Sequence, residues 1–123
     1  MQNYKNLIVW QKAHLLAKEI YRVSADFPLS EKYGLQSQIR RAAISIPTNF
    51  SEGSGRSSKK EKSRFYEISY SSANEFENLL LFSFEMDYMK GKDFYHLIKE
   101  VVDVKKMLSG LMKSLGTQVG FIE

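Results

Sequence analysis

The sequence predicts an all-α protein, an up-and-down antiparallel four-helix bundle with a kinked second helix. Apolar residues recur every three or four positions in four separate blocks, no stretch alternates as a strand would, and the connections between blocks are short. A chain of 123 residues holds one domain, here expected at 1–116, with a loose tail over 117–123.

The first helix is expected from about Leu7 to Ser24, with Leu7, Trp10, Ala13, His14, Ala17, Ile20 and Tyr21 on its inner face; Phe27-Pro28 ends it, because a residue before proline avoids helical angles. The second is expected from Ser30 or Leu35 to Glu52, with Leu35, Ile39, Ala42, Ala43, Ile46 and Phe50 as its stripe. Gly53 and Gly55 then read as a stop that exploits the left-handed conformation. The third starts at Ser58-Lys-Lys-Glu61, a capping-box pattern, and is expected to run to about Met89, roughly 45 Å. Its expected apolar line is Phe65, Ile68, Ala73, Phe76, Leu79, Leu80, Ser83 and Met86. Seven aromatics, Phe65, Tyr66, Tyr70, Phe76, Phe82, Phe84 and Tyr88, spread around it, more than one narrow core face takes. Some are expected to meet another subunit. The fourth is expected from Phe94 to Leu115, capped by Asp93 and closed by Gly116, with Phe94, Leu97, Val101, Val104, Leu108, Leu111 and Leu115 in line.

Composition excludes several classes. There is no cysteine, so disulfides and thiolate metal sites are out. No segment approaches the ~20 apolar residues of a membrane span. MQNYKNLIVWQKAH has no long apolar run and no small-residue cleavage site, so no signal peptide is expected, and the cytoplasm is the expected location. The net charge is +4, and residues 56–64, RSSKKEKSR, account for it with five bases and one acid. That local excess suits an anion; it suits a solvated, solubilising loop equally well.

The stretch RRAAISIPTNFSEGSGR (40–56) carries a second, polar stripe: Arg41, Ser45, Thr48, Asn49, Glu52 and Arg56 recur at spacings of three and four. Pro47 cannot donate to the carbonyl of Ala43, so a kink is expected there, with hydroxyls or an Asn amide nearby to satisfy the backbone. Glu75 is expected to meet the Arg41–Asn49 region across the contact with the third helix.

This stretch resembles the signature of the four-helix-bundle family encoded in intervening sequences of 23S rRNA genes, through Gln38, Arg40, Arg41, Ala42, Ala43, Ser45, Ile46, Pro47, Asn49, Glu52, Gly53, Gly55 and Arg56. Phe50 and Ser51 depart from the usual isoleucine and alanine. LIVWQKAH, FPLSEKYGLQSQ and SYSSANEFENLL resemble further family blocks, with Tyr70-Ser71 where a small residue is usual. The resemblance spans about residues 4–115. It implies an up-and-down bundle and a ring-shaped homo-oligomer, a pentamer. A related branch, the accessory variability protein of diversity-generating retroelements, forms a basic pentameric barrel that binds nucleic acid and a reverse transcriptase. Gln38, Arg41, Ser45, Pro47, Asn49, Glu52, Gly53 and Glu75 are thereby expected to be structural.

Enzyme chemistry finds little support. His14 and His96 lie on different helices, His14 expected in the core, and no Glu-x-x-His pair exists for a di-metal site. Ser57-Ser-Lys-Lys60 matches Ser-x-x-Lys with nothing else of such a site. Gly53-Ser-Gly55 lacks the phosphate-loop spacing. No catalytic residue, metal or cofactor is expected. The expected function is nucleic-acid binding, RNA ahead of DNA, through Arg56, Lys59, Lys60, Lys62 and Arg64, with Arg40 joining, where bases at a helix start favour phosphate. The alternative is a ring that docks a protein partner and has no nucleic-acid role.

Overall fold

Each helix in the computed structural model, which describes residues 3–116, starts and stops for a local reason. The helices are α1 (Ile8–Ser24), α2 (Leu35–Ser54), α3 (Lys59–Glu85) and α4 (Gly91–Ser114), with 3₁₀ turns at Tyr4–Asn6 and Leu29–Glu31 and no strand among the described residues. The tail expected at 117–123 lies outside those residues. Each helix packs on its two neighbours in a closed square: α1 on α2, α2 on α3, α3 on α4, and α4 back on α1. Neighbours run antiparallel. Lys12 meets Glu100 while Glu19 meets His96, and Glu77 meets Lys105 while Phe84 meets Phe94.

The expected faces of α2 and α4 hold. Leu35, Ile39, Ala42, Ala43, Ile46 and Phe50 are buried on α2, and Phe94, Leu97, Val101, Val104 and Leu108 on α4. α1 is different. Its buried residues are Val9, Ala13, Leu16, Ala17, Ile20 and Ser24, whereas His14 and Tyr21 are exposed. Trp10, His14 and Tyr21 are centred about 100° around the helix from the buried face. The His14 imidazole stacks on Trp10 at 4.5 Å on this shoulder, so it is not a core histidine.

α3 is also turned from the expected line. Ile68 and Met86 are exposed, and the packed face holds Ser63, Tyr66, Ser69, Tyr70, Ser72, Ala73, Phe76, Leu80 and Ser83. Four serines lie in that face; Ser83 is on the expected line, and a count of apolar residues passes over Ser63, Ser69 and Ser72. Most of the aromatic surplus is absorbed within the chain. Tyr66, Tyr70 and Phe76 are buried, Phe84 stacks on Phe94 at 4.2 Å, Tyr88 packs on Phe27, and Phe65 lies under Arg56. Phe82 is half exposed.

α3 ends at Glu85, short of the expected Met89. Asp87 adopts φ 64, its N–H donates to the Phe84 carbonyl at 3.0 Å, and the Tyr88 N–H donates to the Ser83 carbonyl at 2.9 Å. This is the paired closure of a Schellman motif, here with Asp instead of Gly at the left-handed position. The glycines after α2 work otherwise. Gly53 lies inside the helix, and Gly55 caps it at φ −84, so neither supplies the left-handed stop expected of them. A Cβ on Gly53 would sit 2.8 Å from Cε1 of Tyr66, so glycine is needed there for close approach. Gly116, at φ 84, does close α4 as expected, whereas Asp93 lies in the first turn and Lys90 occupies the cap position without a side-chain bond.

Candidate nucleic-acid interface

Of the polar stripe of α2, only Ser45 and Asn49 are partly buried, with Ser45 meeting α3, while Arg41, Thr48, Glu52 and Arg56 stay exposed. Ser45 Oγ lies 2.8 Å from Ser72 Oγ, and the Asn49 amide donates to the Ser45 carbonyl and hydroxyl, both at 2.9 Å. Ser69 Oγ donates across the seam to the Ile46 carbonyl at 2.8 Å, and Thr48 Oγ1 donates to the Ile44 carbonyl at 2.7 Å. Pro47 is buried within a helix that runs unbroken from Leu35 to Ser54, and these donors go to the carbonyls at 44, 45 and 46 and not to the Ala43 carbonyl for which one was expected. At the far end of the seam, Ser54 Oγ donates to the Phe50 carbonyl at 3.0 Å and lies 3.4 Å from the Tyr66 hydroxyl. Among the described residues every buried side-chain nitrogen and oxygen has a hydrogen-bond partner. The seam is therefore a satisfied packing surface.

The expected structural residues divide. Ser45, Asn49 and Gly53 belong to the seam, and Pro47 is buried within α2, ~160° around the helix from Ser45. Gln38, Arg41 and Glu75 point away and are exposed. The expected contact of Glu75 with Arg41 or Asn49 is not made: neither Glu75 nor Arg41 enters an ion pair among the described residues, and the Asn49 amide is committed to Ser45. Glu52 is exposed and meets Arg56 at 3.9 Å.

The expected binding cations divide as well. Arg40 is half-buried at the other end of α2, ~21 Å along the axis from Ser54. Its Nε donates to Ser24 Oγ at 2.7 Å and an Nη donates to the Tyr21 carbonyl at 3.0 Å, so it braces α1 against α2 and is no part of the basic turn. Lys62 folds back on the end of α2 and donates to the Ser54 carbonyl at 3.1 Å, satisfying an acceptor that the helix leaves open. Arg56 spreads its guanidinium over the Phe65 ring at 4.8 Å. Lys59, Lys60 and Arg64 are exposed and form no ion pair among the described residues. Ser58 Oγ accepts the Glu61 N–H at 3.1 Å, as the capping pattern predicts. The shallow surface outside it is lined by Lys60 and Arg64 together with Glu61 and Glu67. The turn therefore presents three free cations on a border of mixed charge.

Sequence reasoning missed Ser69 and Ser72, the α3 half of the seam. Their only signal is that Ser69, Ser72 and Ser83 keep helical spacing with Tyr66, Ala73, Phe76 and Leu80. Elsewhere, Lys12 bridges α1 to Glu100 at 3.1 Å, Lys105 bridges α4 to Glu77 at 2.8 Å, and exposed His96 meets Glu19 at 3.1 Å. Among the described residues no three of His, Asp and Glu gather where they could hold a metal ion.

A closed antiparallel four-helix bundle with a serine-lined α2–α3 seam and a basic α2–α3 turn defines the class of protein. Residues 5–110 match the 23S rRNA-intervening sequence protein family, and the chain belongs to it. A crystal structure of a protein of unknown function from the S23 ribosomal protein family of Bacteroides thetaiotaomicron VPI-5482 is similar, with a TM-score of 0.78 and 22% sequence identity over 86% of this chain and 99% of that one. At that identity the likeness concerns the fold. No curated protein matches the sequence. Among the described residues no helix is long and apolar enough to cross a membrane.

Proposed function

We propose that this chain is a non-enzymatic, cytoplasmic homo-oligomer, a pentameric ring, that holds nucleic acid by its phosphates, RNA ahead of DNA, through the turn between α2 and α3. The observation that carries the reading is the cluster of Lys59, Lys60 and Arg64, exposed and without acidic partners among the described residues, at the one stretch that holds the chain's excess charge. Arg56 borders the cluster and adds a fourth charge. Lys62 contributes its field while its ammonium stays on α2. Phosphate contacts of this kind position a strand without reading its bases. In a ring the cluster repeats, and weak sites in a row gain avidity. Assembly has separate support in Leu81, Phe82, Met86 and Tyr95, which leave apolar surface exposed on the second half of α3 and the start of α4.

The test is a titration of labelled single-stranded RNA and of a DNA duplex across a salt series, with native mass spectrometry for subunit number. The variant is Lys59→Ala/Lys60→Ala/Arg64→Ala, all surface positions. Loss of three phosphate contacts on a single strand should flatten the slope of log K against log salt by about 2, at about 0.7 per contact. Absence of binding at low salt, or identical slopes for the two proteins, refutes the reading and leaves a ring that docks protein as the alternative.

A further inference from the structure

A second surface, unrelated to the basic turn, carries its own chemistry. An open groove of about 470 Å³ lies where the end of α1 meets the start of α2, lined by Tyr21, Lys32, Tyr33, Arg40, Arg41 and Ile44 among others. It holds three cations and no carboxylate. The nearest acid in sequence, Glu31, is tied to the Leu35 N–H at 3.0 Å and to the Tyr88 hydroxyl at 3.4 Å. Lys32 and Arg41 are exposed and in no ion pair among the described residues. Arg40 is the fixed element: two hydrogen bonds to Ser24 and Tyr21 hold its guanidinium 4.7 Å over the Tyr21 ring. Tyr33 is the open element, 88% exposed, with the Lys32 ammonium 5.5 Å from its ring centre. Gln36 and Ser37 add uncharged polar groups.

We infer that this groove is a binding site for unpaired nucleotides of a single-stranded nucleic acid, with a base stacked on Tyr33 and the flanking phosphates on Arg41 and Lys32. Flat aromatic faces beside free cations are the two parts that a sequence-tolerant single-strand site requires. A duplex offers no free base face to Tyr33, and a run of acidic residues alone offers charge to the cations but no aromatic face to the ring. The groove lies ~20 Å along α2 from the basic turn, taking Arg41 to Ser54 at 1.5 Å per residue, so the two sites are separable by mutation.

The experiment measures fluorescence anisotropy with labelled oligouridylate, oligothymidylate, a duplex and oligoglutamate. It uses the whole protein and the variants Tyr33→Ala, Tyr33→Phe and Arg41→Ala. All substituted side chains are exposed, and circular dichroism checks the fold. Tyr33→Ala should weaken both single strands roughly 5- to 150-fold, the range for losing one stacked base, and leave the duplex unchanged. Tyr33→Phe should bind as the parent does, and Arg41→Ala should weaken the single strands and flatten their salt slope. Equal losses for single strand and duplex, or no loss in Tyr33→Ala, overturn the site. Loss confined to oligoglutamate overturns it in favour of an acidic protein partner. Failure here with the Lys59/Lys60/Arg64 variant still defective leaves the basic turn standing, and no binding by the parent protein ends both readings.

Discussion

Gly53→Ala pits two opposing effects against each other, and the structure says which wins. Inside a helix, replacing glycine with alanine stabilises by up to about 1 kcal/mol. The new methyl, however, would lie 2.8 and 2.9 Å from two ring carbons of Tyr66 and 3.0 Å from Cβ of Phe65. Tyr66 has nowhere to go: it is 6% exposed and stacked at 5.0 Å on Phe50, which is 1% exposed. Overpacking of a core costs about 1–3 kcal/mol, and a ring pinned on both sides puts this case in the upper part of that range. The net expectation is a loss of about 1–2 kcal/mol, a fall in Tm of roughly 4–8 °C for a domain of this size. Gly55→Ala is the control. Its nearest neighbour is a backbone oxygen at 3.6 Å and its φ is −84, so Tm should hold or rise. Thermal unfolding followed by circular dichroism reads both. In a Tyr66→Ala background, Gly53→Ala should destabilise less, because the two ring contacts are gone and only Cβ of Phe65 at 3.0 Å stays. If Gly53→Ala raises Tm as much as Gly55→Ala does, the close approach of α2 and α3 is not what selects glycine.

Two further outcomes follow from the same seam and from the α3 terminus. Ser69→Ala removes the buried donor to the Ile46 carbonyl and should cost about 1 kcal/mol in urea unfolding, with the m-value unchanged. Partial burial, and then the Glu31 carboxylate, push the Tyr88 phenol above its ordinary 10.0. A raised folded-state value means the folded protein holds that proton more tightly. The stability from this contact is therefore complete below pH 10 and declines as pH climbs through the folded-state value. Tyr88→Phe should remove that part of the alkaline decline in a series of urea midpoints.

The fold was legible because the apolar period survives in every helix; what periodicity could not supply was the exact rotation of two of them. On α1, Trp10, His14 and Tyr21 look apolar enough to join the stripe, yet Val9, Leu16 and Ser24 occupy the buried side. On α3, Ile68 and Met86 drew the line outward, while Ser63, Ser69 and Ser72 packed inside beside the expected Ser83. A buried serine is affordable only when its hydroxyl has a partner, and that partner belongs to another helix or another turn. The end of α3 was hidden for a different reason: Asp87 takes a left-handed conformation without the glycine that advertises one. The basic turn was visible as charge, but charge does not reveal commitment. Arg40 and Lys62 read as free cations until Ser24, Tyr21 and the Ser54 carbonyl came within reach.

The small residues of the α2 stretch explain why its cations end up where a ligand can meet them. Ser45 against Ser72, Ser69 against the Ile46 carbonyl and Gly53 against Tyr66 all let α2 and α3 approach closely. A larger residue at any of these points would push the helices apart and leave polar groups unpaired. The seam therefore has no room for a long charged side chain. Arg41 at one end and Arg56, Lys59, Lys60 and Arg64 at the other stand outside it, exposed. The close helix contact and the outward charge are two consequences of one pattern. A substitution that loosens the seam should therefore disturb both cationic surfaces together, whereas a substitution at either surface should leave the seam and the fold intact.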